Sequence, residues 1–148
     1  MTYKTGPSGV TKTLMTQVSL SSDTSFTSGT AVPLDTITTS HSSLSGVSVS
    51  SNVITLQAGD YVIFGAVAID RTLNTDSYVV DFYDNSTSTL LPISDGWMGA
   101  KSVEEFASNS QVLQAQVRLT SSLSFYLYSV GASGAIKADG TYLIILEV

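Results

Sequence analysis

The sequence predicts an all-β protein, an antiparallel two-sheet sandwich of the jelly-roll kind. Apolar and polar residues alternate in about eight to ten short segments with turn residues between them, which is the pattern of strands. No segment has the periodicity of an amphipathic helix of useful length. Two segments, residues 61–69 and 142–148, are apolar on both faces almost throughout. Such strands belong in the middle of a sheet whose outer face is also covered.

The composition fits a single domain with a short arm in front of it. The chain has 148 residues, of which 43% are hydrophobic and only 12% are charged. A chain of this length buries roughly two-thirds of its unfolded surface, so no second domain is needed. Residues 1–13 are polar and contain the turn sequence Gly6-Pro7-Ser8-Gly9. We therefore expect a flexible N-terminal arm (residues 1–13) followed by a jelly-roll domain (residues 14–148).

Charge and cysteine content argue against several classes of function. The formal net charge is −6 and the six Lys and Arg residues are scattered, which argues against a nucleic-acid partner. The absence of cysteine excludes thiol chemistry and cysteine metal sites. Residues 1–16 lack the apolar core of a signal peptide, and no run approaches the roughly 18 apolar residues of a membrane helix. We expect neither a cleaved leader nor contact with a membrane.

In the first third of the domain, alternating segments predict strands and hydroxyl-rich segments predict loops. Residues 14–20 place Leu14, Thr16, Val18 and Leu20 on one face. Residues 31–37 form a short strand, and Pro33 near its start suits an edge position. Loops are predicted at residues 21–30 and 38–44, and short strands at residues 47–49 and 53–56 on either side of a turn at residues 50–52.

Residues 54–70 organise the rest of the chain. Residues 54–57 alternate as a half-buried strand does, and Gly59 then permits a turn. From Tyr61 to Ile69 there is no charged or strongly polar side chain. An antiparallel strand with one face in water would alternate. Both faces of this strand should therefore be covered, one by the domain's own core and the other by a second copy of the chain.

The remaining strands follow from the same alternation. Residues 77–83 turn Val80 and Phe82 to one face, and residues 112–119 separate Leu113, Ala115 and Val117 from polar neighbours. Residues 123–128 alternate again. The other predicted segments are loops at residues 71–76, 84–89 and 130–139, a short apolar piece at residues 90–93, one possible helical turn at residues 103–106, and a terminal strand at residues 141–148.

The order of these segments resembles the jelly roll of tumour necrosis factor (TNF) and of complement-type globular heads, over residues 14–148. Four segments carry the resemblance: Val32-Pro33-Leu34-Asp35, the strand, glycine turn and aromatic strand start of residues 54–61, the long alternating strand of residues 112–119, and the aromatic-led terminal strand of residues 141–148. None of them is specific alone, and their order and spacing make the case.

The resemblance implies a homotrimer and says which residues face its axis. In TNF-like heads the strand after the glycine turn alternates between the subunit core and the three-fold axis. On that register Tyr61, Ile63 and Val67 face the core, as do Leu143 and Ile145, and Glu147 also falls on the core side. The predicted trimer interface consists of Val62, Phe64, Ala66, Tyr142, Ile144 and Leu146.

Departures from secreted TNF-like ligands shape the functional hypothesis. The sequence contains no cysteine, and we expect no collagen stalk, signal peptide or membrane anchor. It resembles the TNF-like jelly rolls of bacteriophage particles, so the leading hypothesis is a structural virion protein. It would be a homotrimeric decoration (cement) protein on the capsid exterior, with Thr2, Tyr3 and Lys4 of the arm on the major capsid protein. The alternatives are a receptor- or glycan-binding phage fibre head and a secreted TNF-like ligand.

Residues able to support catalysis or bind a ligand are few. His41 is the only histidine and lies among serines, while Glu104 and Glu105 are sequence neighbours that point in different directions. We therefore expect no enzyme activity, cofactor or metal, although acidic loops could hold calcium. Tyr126 and Tyr128 face outward on one strand. They either form a stacking platform for a sugar or fill cross-strand space.

Overall fold

The computed structural model describes residues 4–5, 11–12, 15–42, 46–71, 79–91, 110–130 and 134–148, and every regular element in them is a β-strand. In chain order the strands are β1 (Lys4–Thr5), β2 (Thr11–Lys12), β3 (Met15–Ser19), β4 (Thr24–Phe26), β5 (Thr30–Ala31), β6 (Thr36–Ser42), β7 (Val47–Ser50), β8 (Val53–Leu56), β9 (Gly59–Arg71), β10 (Val79–Asp84), β11 (Thr89–Leu90), β12 (Ser110–Leu119), β13 (Leu123–Val130) and β14 (Gly134–Glu147). No helix in this part of the chain could cross a membrane.

The strands form two six-stranded antiparallel sheets and one small ladder. Sheet I has the order β12-β9-β14-β3-β6, and β4 also pairs with β14. Sheet II has the order β11-β10-β13-β8-β7, and β5 also pairs with β13. Neighbours in a sheet are mostly distant in sequence, as when β14 lies between β3 and β9. The predicted all-β jelly-roll sandwich is confirmed.

Alternation along the strands fills the space between the two sheets. On β9, Tyr61, Ile63, Val67 and Ile69 are buried, and on β14 Leu143 and Ile145 are buried. All of these except Ile69 are residues that the resemblance to TNF-like heads placed on the core side. Sheet II contributes apolar side chains from β8, β10 and β13, including Phe82 and Phe125, whose ring centroids lie 5.8 Å apart. Each large apolar side chain buried in this way contributes roughly 1.5–3 kcal/mol to folding.

Three predicted loops contain strands, and one predicted strand is largely irregular. β4 lies inside the loop predicted at residues 21–30, where it pairs with β14. Residues 36–42 form β6 by pairing with β3, although their hydroxyl-rich sequence lacks alternation. β14 begins at Gly134 rather than at residue 141, because a bulge between Lys137 and Tyr142 interrupts its register and hides the period of two. Residues 32–35 lie between strands; the Val32 N–H donates to Leu127 O at 2.8 Å.

The arm forms a short ladder where no strand was predicted. β1 pairs with β2, which sets Lys4 opposite Lys12 and Thr5 opposite Thr11. Thr2 and Tyr3, the glycine-proline turn, and residues 92–109, including Glu104, Glu105 and the predicted helical turn, lie outside the described residues.

Candidate assembly surface

Six residues predicted to face a neighbouring subunit lie together on the outer face of sheet I. β9 and β14 are adjacent, and the residues form directly opposed cross-strand pairs: Val62 with Leu146, Phe64 with Ile144, and Ala66 with Tyr142. Their sequence neighbours Tyr61, Ile63, Val67, Leu143 and Ile145 fill the core. The pleat therefore turns these six side chains away from the protein's own core.

The apolar surface continues onto the strands on either side. Val112 on β12 lies opposite Ala66, and Met15 on β3 lies opposite Leu146. Val112 is 72% exposed and Phe64 is 38% exposed, which is high for large apolar side chains. We call the following residues the apolar patch: Met15, Val62, Phe64, Ala66, Val112, Tyr142, Ile144 and Leu146. Sequence reasoning missed Val112 and Met15, although Val112 keeps the outward period of Gln114 and Gln116.

Uncharged polar residues border the apolar patch on both sides. On β12, Gln114 lies opposite Phe64 and Gln116 lies opposite Val62. On β3, Gln17 lies opposite Ile144 and Ser19 lies opposite Tyr142. Amide and hydroxyl groups at these positions can bond to a partner chain or to water. An apolar centre depleted of charge and surrounded by polar groups is the usual anatomy of a protein interface.

An ion pair lies beyond each end of this surface. At one end Arg118 lies opposite Asp60, and its Nε donates to Asp60 Oδ1 at 2.7 Å. At the other end Lys137 forms an ion pair with Asp23, whose Oδ1 also accepts from the Ala138 N–H at 2.8 Å. The Lys137 ammonium lowers the pKa of Asp23, and Asp23 raises the pKa of Lys137.

Burying the apolar patch against a partner chain would be favourable, but each residue would contribute only a moderate free energy. Neighbouring strands already half-bury most of its side chains in a single chain. Removing the remaining exposed area of Phe64 or Val112 from water contributes on the order of 1 kcal/mol each. The surface therefore needs the contacts of several strands together to hold a partner.

The other candidate residues that the structure describes lie on separate strands and turns. The backbone of His41 lies in β6, and Lys4 lies in β1. Asp84, one of the acidic residues considered for calcium, caps the turn after β10 by accepting from Ser86 N and Ser86 Oγ at 2.6 Å each. Within the described ranges, no group of three or more His, Cys, Asp or Glu residues could hold a metal ion. Glu147, predicted to point inward, is half-buried opposite Tyr61.

Solved structures define the class of fold. No protein-family model and no curated protein matches the chain. A crystal structure of murine APRIL at pH 8.5 superposes with a TM-score of 0.63 at 15% identity, covering 93% of this chain and 100% of that one. Eiger TNF from S. frugiperda gives a TM-score of 0.64 at 8% identity, covering 92% of each chain. The protein therefore has a TNF-like jelly-roll fold.

Proposed function

We propose that the chain assembles into a homotrimer through the apolar patch. The supporting observation is the set of opposed pairs on β9 and β14 that form a charge-free surface bordered by glutamines. The resemblance of the sequence to TNF-like heads supplies the symmetry, with Phe64 and Tyr142 near the three-fold axis. Copies meeting there would bury these side chains without burying an unpaired charge.

We further propose that this trimer has a structural, non-enzymatic role as a decoration protein on the outside of a phage capsid. The distribution of charge supports a distinct function for the arm. All twelve acidic residues lie in residues 14–148, whereas the arm carries Lys4 and Lys12. The described ladder pairs the backbone of Lys4 with that of Lys12. An acidic surface of the major capsid protein would complement the positive charge of the arm, contacting Thr2, Tyr3 and Lys4.

The oligomeric state of the full chain tests the assembly proposal. Light scattering coupled to size exclusion should give about three times the chain mass of 15.6 kDa. Phe64→Asp should yield folded monomer, because the trimer would bury a carboxylate without a partner. Leu90→Asp is the matched control, since Leu90 is a 53% exposed apolar residue on sheet II, and it should remain trimeric. A wild-type monomer would contradict the proposal.

The location of the protein on its native particle tests the proposed role. Gold-labelled antibody against the full chain should decorate the capsid surface. Label confined to a fibre tip would instead support the receptor-binding alternative. Absence from particles, together with detection in the medium of producing cells, would support a secreted ligand.

A further inference from the structure

A cluster of three tyrosines occupies the outer face of sheet II, on the side of the sandwich opposite the apolar patch. Tyr83 on β10 lies directly opposite Tyr126 on β13, and Asp81 lies directly opposite Tyr128. The ring centroids of Tyr83 and Tyr128 are 4.6 Å apart, and that of Tyr126 lies 6.0 and 6.1 Å from them. We call Asp81, Tyr83, Tyr126 and Tyr128 the tyrosine platform. The sequence identified Tyr126 and Tyr128, but Tyr83 joins them only through strand pairing.

The rings are held in place by each other and remain accessible. All three are half-buried, with tilted or edge-on packing. Burial and the negative charge of Asp81 raise the pKa of Tyr83. A tyrosine hydroxyl is protonated at neutral pH even without such a shift and can donate a hydrogen bond. Preordered rings lose little conformational entropy when a ligand stacks on them.

The surroundings of the platform are neutral, hydroxyl-bearing or acidic. Next to it, Thr55 Oγ1 and Ser124 Oγ form a 2.8 Å hydrogen bond between β8 and β13. None of the described strands of sheet II contains Lys or Arg. A phosphate, a sulfated or sialylated glycan, or a nucleic acid would meet Asp81 and no compensating cation in these strands, which disfavours them.

The size of the exposed aromatic surface also limits the ligand. Three half-buried tyrosine rings offer on the order of 200 Å². A stable protein complex buries about 800 Å² on each partner, whereas a stacked sugar ring covers only part of such an area. A neutral pyranose presents C–H groups to an aromatic face and hydroxyls to a carboxylate, and the platform holds both kinds of group side by side.

We propose that the tyrosine platform binds a neutral hexopyranose, with the sugar face stacked against both Tyr126 and Tyr128 and its hydroxyls donating to Asp81. The site does not depend on the proposed capsid role or on the trimer, because it uses the opposite sheet. Its chemistry requires no metal ion and no basic residue.

Saturation-transfer NMR on the full chain tests the proposal. The probes are methyl glycosides of glucose, galactose, mannose and N-acetylglucosamine, with sialyllactose and choline chloride as an anionic and a cationic comparison. At least one neutral glycoside should receive saturation, with the transfer strongest at ring C–H protons. Tyr126→Ala should weaken binding roughly tenfold, and Tyr126→Phe, which keeps the ring, should retain it. Asp81→Asn should weaken it as well.

Matched controls separate loss of the site from loss of the fold. Tyr142→Ala removes a tyrosine from sheet I and should leave sugar binding unchanged, whatever it does to assembly. If Tyr126→Ala fails to fold, Tyr126→Leu keeps the apolar bulk without the ring and should show the same loss. Absence of saturation on every neutral glycoside, a preference for sialyllactose or choline, or full binding by a folded Tyr126→Ala or Tyr126→Leu variant would overturn the proposal.

Discussion

At Gly65, β9 passes so close to β14 that no larger residue fits. A Cβ atom on Gly65 would overlap the carbonyl oxygen of Tyr142 and lie 2.9 Å from Leu143 Cα. These obstacles are backbone atoms of a paired strand, which cannot rotate away as a side chain could. Because Gly65 precedes Ala66 and follows Phe64, a shift of β9 here would also disturb the outward face.

We therefore predict that Gly65→Ala destabilises the protein by about 1–3 kcal/mol through overpacking. Gly46→Ala is the matched control, because the atom nearest to its added Cβ would be Gln57 Cβ at 3.3 Å, so a shift of a few tenths of an ångström would relieve the contact. That control should change the free energy of unfolding by less than about 0.5 kcal/mol. Urea unfolding followed by circular dichroism measures both, and equal values for the two variants would contradict the explanation.

At the scale of single residues, the sequence predicted which face of a strand a side chain lies on better than it predicted which residues of other strands lie beside it. The uninterrupted apolar run of β9 showed that both of its faces need cover, and the resemblance to TNF-like heads implied that Tyr61 and Ile63 face the core, as observed. The position of Val112 beside Ala66, and of Tyr83 beside Tyr126, depends on which strands pair and in what register. Local sequence pattern contains the period of a strand but not the identity of its partner.

At the scale of whole elements, polar side chains connect strand ends that apolar packing does not hold. Asp35, between the end of β5 and β6, accepts from Ser21 N at 2.8 Å, from Ser21 Oγ at 2.6 Å and from Thr36 Oγ1 at 3.0 Å. The hydrogen bond from the Ser21 hydroxyl is the main cause that lowers the pKa of Asp35, and hydrogen bonds from backbone N–H groups and from Thr36 lower it further. The carboxylate thereby joins the segment after β3 to the start of β6.

This arrangement predicts a loss of stability in acid. Because the pKa of Asp35 is lower in the folded protein than its ordinary value of 3.8, its ionised form favours folding above that pH. The contribution is lost as pH falls from 3.8 through the folded pKa. Hydrogen bonds from Ser86 and Thr87 also lower the pKa of Asp84, so its contribution to stability is lost in acid in the same way. The melting temperature should therefore decrease as the pH is lowered below about 4.

Asp35→Asn isolates one part of that effect. At pH 7 the variant should melt below the wild type, because a charged acceptor of three hydrogen bonds is lost. The difference should shrink between pH 4 and pH 2, since the wild-type carboxyl is protonated there as well. Calorimetry across this range measures it, and a difference independent of pH would show that ionisation of Asp35 does not contribute.

Two of the strands that the sequence did not fully predict, β6 and the first part of β14, depend on partners that are distant in sequence. β6 contains Thr, Ser and His with little apolar alternation, and it is an edge strand that pairs with β3. In β14, Gly140 adopts a φ of 101° within the bulge between Lys137 and Tyr142. The bulge changes the side to which residues point, so residues 134–139 do not continue the alternation of residues 141–147.

At the scale of the whole molecule, the sandwich presents two surfaces of different chemistry on opposite sides. The apolar patch covers sheet I, and the tyrosine platform lies on sheet II. If copies of the chain join through sheet I around a three-fold axis, every copy of sheet II faces away from that axis. The proposed trimer then carries three sugar sites that point outward in different directions, which suits cross-linking of separate sugar chains.

We predict that the wild-type trimer cross-links a flexible polyacrylamide carrying the hexopyranose identified by NMR, producing turbidity that free methyl glycoside reverses. Phe64→Asp, as a folded monomer, should bind the free glycoside with the same affinity per chain and produce no turbidity, because one site cannot bridge two polymers. The Tyr126→Ala variant should also produce no turbidity, because it remains a trimer but its sugar sites are weakened.

If wild-type protein binds the free glycoside as a trimer and still fails to cross-link, the platforms do not face outward, and the proposed placement of sheet I at the axis is wrong. If Phe64→Asp cross-links as strongly as wild type, the chains associate through some surface other than the apolar patch.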